Sequence, residues 1–191
     1  MPADAAGMDL AFAYIQDRDL WRWEFPETKF FGAALAGREL DFDAEANPEL
    51  FSQLLALPLA TMVDEGRPIV EKQEREIAEV LAGARVMVAG GGKADTGGQC
   101  MGVLTDRGDL RSDVGNRLAE MSKERGMLPI GIVAYREELM TDATMWKVSL
   151  RSLGDCDTSA ISKAWGGGGH RNASSCLVPK TDLDALWLQD A

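Results

Sequence analysis

Apolar residues in the first third of the chain recur at helical spacing, and from about residue 85 onward they fall into short blocks instead. Residues 8–23 carry Phe12, Tyr14, Trp21 and Trp23 around a polar Asp-Arg-Asp triplet, which predicts an aromatic-rich amphipathic helix or helix-turn broken by Pro26. The stretch 48–66 predicts one or two short helices punctuated by Pro58. Residues 67–84 give the clearest helical pattern, with Ile69, Val70, Ile77, Val80 and Leu81 on one stripe. Glu71, Glu74, Glu76 and Glu79 fall mostly off that stripe, on a solvated face; Pro68 suits a first turn and Gly83 a stop.

Beyond residue 84 the short apolar blocks RVMVAG, MGVLT, IGIVAY, MWKVSL and SSCLVP read as five strands. Between them, RSDVGNRLAEMSKERG predicts a helix capped by Ser112 or a neighbour. DTSAISKAW predicts a short helix capped by Asp157 or Thr158, and TDLDALWLQD a closing one. The order is helices, then β, β, α, β, β, α, β, α. We therefore expect an α/β fold: a mixed β-sheet of about five strands flanked by helices, preceded by a helical linker region. The division falls into residues 1–84 and 85–191.

Composition narrows the functions. With a net charge of −11 the chain lacks the basic surface that a general grip on duplex DNA requires, although local basic patches are compatible with it. No apolar run approaches a membrane span and the N-terminus has no signal-peptide pattern, so a cytoplasmic protein with no membrane partner is expected. Three widely spaced cysteines, Cys100, Cys156 and Cys176, form no zinc or disulfide pattern.

Two glycine-rich stretches invite phosphate chemistry. After the first strand, VMVAGGGKAD fails as a dinucleotide fingerprint because Asp95 stands where glycine is needed, and fails as a P-loop because Ala94 follows Lys93; a plain surface loop is expected. The second stretch, GGGGHRNAS, runs into His170, the one histidine of the chain, and then Arg171. Glycine backbone lets amides approach an anion closely, and His170 and Arg171 add donors. Upstream, Lys147, Ser149 and Arg151 of KVSLRS share one face of a strand by alternation. The bland alternative is a tight turn with a satisfied histidine. Asp17 and Asp19 are too few for a metal site of their own, and a charged surface helix is the commoner outcome.

KVSLRS followed by DTSAISKAWGGGGHRNAS resembles the C-terminal DHH-associated domain of the DHH phosphoesterase superfamily, which includes single-strand exonucleases, oligoribonucleases, nucleotide phosphatases, cyclic dinucleotide phosphodiesterases and exopolyphosphatase-like proteins. Residues 13–35, 64–77 and 110–120 are similar to the segment joining the family's two domains, to its connecting helix and to the first helix of the C-terminal domain. The resemblance implies a substrate-binding site at Gly167, Gly168, Gly169, His170 and Arg151, with Ser149, Ser152 and Arg171 beside them, gripping a phosphate of short single-stranded nucleic acid or of a nucleotide. It also implies a catalytic domain holding two divalent ions through an Asp-His-His motif, and this chain contains no such motif. A chain with one histidine is therefore expected to bind without hydrolysing, as a truncated or short form. It needs no cofactor alone, and manganese or magnesium only once a catalytic domain is supplied, with Asp17 as the one matching metal ligand. The alternative is a non-catalytic interaction or regulatory module, pairing with itself or another protein through its N-terminal helices.

Overall fold

The computed structural model describes residues 5–188 apart from 21, 39, 44, 94–97 and 138–139, with backbone only for 5–9. Trp21 and residues 94–97 of the first glycine-rich loop thus lie outside the described residues. The chain divides into two compact units, Met1–Arg75 and Glu76–Ala191.

The first unit is helical: α1 (Ala5–Asp19), α2 (Thr28–Ala36), α3 (Leu50–Leu55) and most of α4 (Leu59–Leu81). Its core gathers Tyr14 from α1, Phe31 and Ala34 from α2, and Met62 and Val63 from α4. The Tyr14 and Phe31 rings lie 5.4 Å apart, a separation typical of packed aromatic pairs. α4 starts eight residues before the 67–84 pattern, and Pro68 lies inside it. The punctuating proline is Pro58, whose carbonyl accepts the Met62 N–H at 2.9 Å. Burial of Met62 and Val63 carries the helix through Pro68 despite its missing N–H.

The second unit is a mixed six-stranded sheet in the order β1-β2-β3-β4-β6-β5. Its strands are β1 (Arg85–Val88), β2 (Gln99–Thr105), β3 (Ile130–Tyr135), β4 (Met145–Ser152), β5 (Gly168–His170) and β6 (Ala173–Pro179). Among these strands only β2 and β3 pair in parallel, joined by the crossover helix α5 (Arg111–Glu124). The α/β expectation holds, with one strand more than expected: the glycine-histidine stretch is itself strand β5. It forms a hairpin with β6, turning through Arg171 and Asn172.

Alternation along the strands sorts the side chains into two layers. On one face Met101, Val103, Val133 and Tyr135 meet Val114 and Leu118 of α5, with Ile77 from the end of α4. On the other, Ile130, Ile132, Val148, Leu150 and Val178 meet Ile161 of α6 (Thr158–Ala164), Leu183 and Trp187. The C-terminal segment is a short helical turn, Lys180–Asp182, followed by a π turn, Leu183–Trp187. Gly90 and Gly91 are buried against this second core, where Trp165 Nε1 donates to the Gly90 carbonyl at 2.9 Å. That part of the first glycine-rich loop is therefore interior, not a plain surface loop.

Ser122 ties α5 to the sheet. Its buried hydroxyl accepts the Met101 N–H and reaches the Ile130 carbonyl, both at 2.7 Å. Ser122→Ala leaves the Met101 donor without that acceptor. Stability measured by urea unfolding should fall by about 1–3 kcal/mol, the cost of a stranded buried polar group.

Candidate functional site: a basic cleft on the sheet

β4, β6 and β5 carry small or polar residues on the face that α5 covers farther along. The register aligns Arg151 with Ala173 and Ala173 with His170; the next row aligns Ser149, Ser175 and Gly168. The result is a cleft of about 230 Å³, floored by Ser149, Arg151, Ser175 and Gly168 and walled by Arg111 and Lys147. Gly169, Ala173, Ser174 and Tyr135 complete its lining.

Arg151 sits half-buried beneath the first turn of α5 and donates from Nη2 to Ser112 Oγ at 2.8 Å. Ser112 thus accepts an arginine from β4, while the residue before α5, Leu110, offers no side-chain cap. Arg151 has no carboxylate at ion-pair distance among the described residues. Burial, and then the neighbouring positive charge of Arg111, lower the Arg151 pKa, opposed in part by Tyr135 and by the Asp113 carboxylate beyond ion-pair distance. An unpaired, half-buried guanidinium beside a second one is a site that an anion would relieve. Lys147 on the same strand face is already held by Glu137, at 2.8 and 2.9 Å.

The glycines divide by role. Gly166, at φ 74°, ends α6, and the Gly167 N–H closes back onto the Ser162 carbonyl at 2.8 Å, a Schellman stop. At Gly167 a Cβ would lie 2.2 Å from the Ser175 carbonyl oxygen, and at Gly169, with φ 138°, 2.6 Å from that of Ala173. Both are required by the fold itself. At Gly168 a Cβ would meet nothing within 4 Å, yet Gly168 lines the cleft. It is the glycine of the four whose bareness serves the open space.

Other expected site residues turn elsewhere. His170 is exposed at the end of β5, on the Arg151 row but outside the cleft lining. Arg171 donates to the Asp155 carbonyl at 2.7 Å and pairs with the Asp155 carboxylate. Ser152, one residue from Arg151, faces the opposite way and donates to the Cys156 carbonyl at 2.6 Å, while Asn172 Nδ2 donates to it. These residues stitch the 152–157 loop to the hairpin. Asp157 caps α6, accepting the Ser159 N–H at 2.8 Å. Arg111, Tyr135 and Ser175 carry no mark in the sequence pattern that points to a site. Ser175 becomes legible from the period-2 alternation of SSCLVP once its partner strand is known.

Asp17 belongs to the helical unit and is 3% exposed. It accepts from the Thr28 hydroxyl and from the N–H groups of Glu24 and Phe25. Burial pushes its carboxyl up, but these donors hold it below the ordinary carboxylate range. A metal ion would compete with all three, and no group of three or more His, Cys, Asp or Glu suited to a metal occurs among the described residues. This donor set does not fit a two-ion centre.

A larger cavity, about 570 Å³, lies near the end of α4, but its Arg107 is engaged by Glu76 and Asp109 at 2.9 and 2.8 Å. Its charge is already compensated, so the smaller basic cleft is the better anion site. No helix of the described residues is long and apolar enough to cross a membrane.

No family model matches the chain. Among solved structures, the pGpG-specific phosphodiesterase PggH from Vibrio cholerae aligns with a TM-score of 0.49 and 13% identity, over 91% of this chain and 64% of that one. An uncharacterized protein from Helicobacter pylori aligns with a TM-score of 0.32 and 16% identity, over 86% and 42%. An uncharacterized protein of Acanthamoeba polyphaga mimivirus is 30% identical over 166 residues, 85% of this chain and 35% of that protein, so the chain spans about a third of the length of the curated relative it matches.

Proposed function

We propose that the sheet unit is a phosphate-capturing domain of the DHH-associated type, binding the phosphorylated end of a nucleotide or of a short single-stranded nucleic acid. The observation that carries this reading is Arg151, half-buried, beside Arg111 and without an ion-pair partner among the described residues, on the floor of a cleft whose lining includes the bare Gly168. The KVSLRS and GGGGH motifs, separate in the sequence, both contribute to that lining through Ser149, Arg151, Gly168 and Gly169, which supports the part of the expected site built on the strand arginine and the glycines. The 191 residues carry no Asp-His-His motif, which supports a binding role for this stretch taken by itself. Metal ions would enter only with a catalytic domain that supplies the ligands.

The test is a titration with a 5′-phosphorylated dinucleotide. Gly168→Ala should leave the melting temperature within about 2 °C of the parent, since its Cβ meets open space. It should nevertheless weaken the dinucleotide at least about tenfold by filling the approach to the backbone. Undetectable binding by the parent chain overturns the reading.

A second reading, an interaction module acting through the helical unit, is favoured by Phe42 and Phe51, which stand 60% and 62% exposed there. It predicts that the parent and Gly168→Ala chains are equally indifferent to the dinucleotide.

A further inference from the structure

Tyr135 closes β3 and is 2% exposed, yet its hydroxyl has no hydrogen-bond partner among the described residues. Buried polar groups are nearly always satisfied, and a stranded one costs stability. Gly108 packs against one edge of the ring, where an added Cβ would be 2.4 Å from Tyr135 Cδ2. Tyr135 lines the basic cleft and also a second cavity of about 410 Å³. Arg111 is the other residue common to both.

The two cavities differ in charge. The basic cleft is lined by Arg111, Lys147 and Arg151 with no carboxylate. The second cavity carries Asp106, Asp109 and Glu137 beside Arg111 and Arg136. Asp109 is held by Arg107 and Glu137 by Lys147, whereas Asp106 stands exposed and joins no ion pair among the described residues. Carboxylates next to a phosphate cleft repel a second phosphate and accept hydrogen bonds from hydroxyl and amino groups.

We propose that Tyr135 and Arg111 join the two cavities into one bipartite site. The phosphate would lie in the basic cleft, the Tyr135 hydroxyl would bond an oxygen beside it, and a hydroxyl- or amino-bearing body would enter the second cavity. This rests on the phosphate-capturing reading above and narrows it: the ligand is a phosphomonoester whose hydroxyl- or amino-bearing body fills the second cavity, as opposed to a chain of phosphates. Tyr135 is here a specificity-determining contact, kept at a cost to the ligand-free fold.

Calorimetric titration of the full chain with inorganic phosphate, adenosine 5′-monophosphate and tripolyphosphate tests this. The nucleotide should bind at least tenfold more tightly than phosphate, and tripolyphosphate no more tightly than phosphate. Tyr135→Phe should weaken the nucleotide about tenfold while raising the melting temperature of the ligand-free chain, because the stranded hydroxyl is gone. Asp106→Asn, at an exposed position, should improve tripolyphosphate binding by removing a repulsive charge. A purely structural tyrosine would give a lower melting temperature in Tyr135→Phe, and that result, or an unchanged nucleotide affinity, overturns the proposal. Tripolyphosphate binding more tightly than the nucleotide overturns it as well. If phosphate binds in an Arg151-dependent way but the nucleotide binds no better, the second cavity alone is refuted. If none of the three probes binds, the phosphate-capturing reading falls and this proposal with it.

Discussion

Gly131→Ala is expected to cost the sheet unit about 3 kcal/mol or more, at or beyond the upper end for overpacked cores. Gly131 lies in β3 directly beneath α5, and an added Cβ would stand 1.9 Å from the Gly115 carbonyl oxygen and 2.7 Å from the Ala119 nitrogen. Both obstacles are helix backbone, so no side chain can swing aside to make room. α5 would have to lift, and with it Val114 and Leu118, which are fully buried against Val133 and Tyr135. Lifting α5 also moves Ser112 off Arg151, so the cleft should loosen together with the fold. The melting temperature should drop by about 6–12 °C, measured beside Gly168→Ala as a glycine substitution in the same sheet without a clash. A drop no larger than that of Gly168→Ala would show that α5 does not sit where the register and contacts put it.

That close helix-on-strand contact is invisible in the sequence, where Gly115 and Gly131 look like two unrelated glycines. Strand identities are legible because β-branched and apolar blocks bounded by glycine and polar turns suit a strand better than a helix. The crossover between β2 and β3 follows from the helical pattern of residues 111–124. By contrast α2 leaves no periodic signal, since TKFFGAALA is a short apolar run whose helical state is decided by burial of Phe31 and Ala34. The start of α4 is hidden for a similar reason: Pro68 reads locally as an N-terminal signal, and only the buried Met62 and Val63 overrule it.

For the site, period-2 alternation places Lys147, Ser149 and Arg151 on one face, and that face is the cleft floor and wall. Alternation equally separates neighbours in the chain. Ser152 directly follows the cleft residue Arg151, and Arg171 lies between the cleft residues Gly169 and Ala173, yet each is drawn into the loop at 152–157. The glycine run reads as one anion-binding device, whereas helix termination and close strand pairing account for three of its members. Tyr135 comes from β3, where register aligns it with Lys147 of β4, and Arg111 from the start of α5, which packs on the same face. Register depends on long-range pairing that no local pattern encodes.

Arg151→Ala is expected to weaken a phosphorylated dinucleotide by about 10–150-fold, the loss of a charge-assisted hydrogen bond of about 1.5–3 kcal/mol. Stability should move far less, because in the ligand-free chain Arg151 is held through Ser112 and lies beside the like charge of Arg111. Arg151→Lys keeps a positive charge but not the planar fork, so it should recover only part of the affinity. His170→Ala gives the complementary measurement. His170 is exposed and outside the cleft lining, so its loss should cost less than that of Arg151. Raising the salt concentration should erode the binding of the parent chain more steeply than that of Arg151→Ala, since one fewer cation then faces the phosphate. Equal affinities for the parent chain and Arg151→Ala, at matched stability, would place the ligand somewhere other than this cleft.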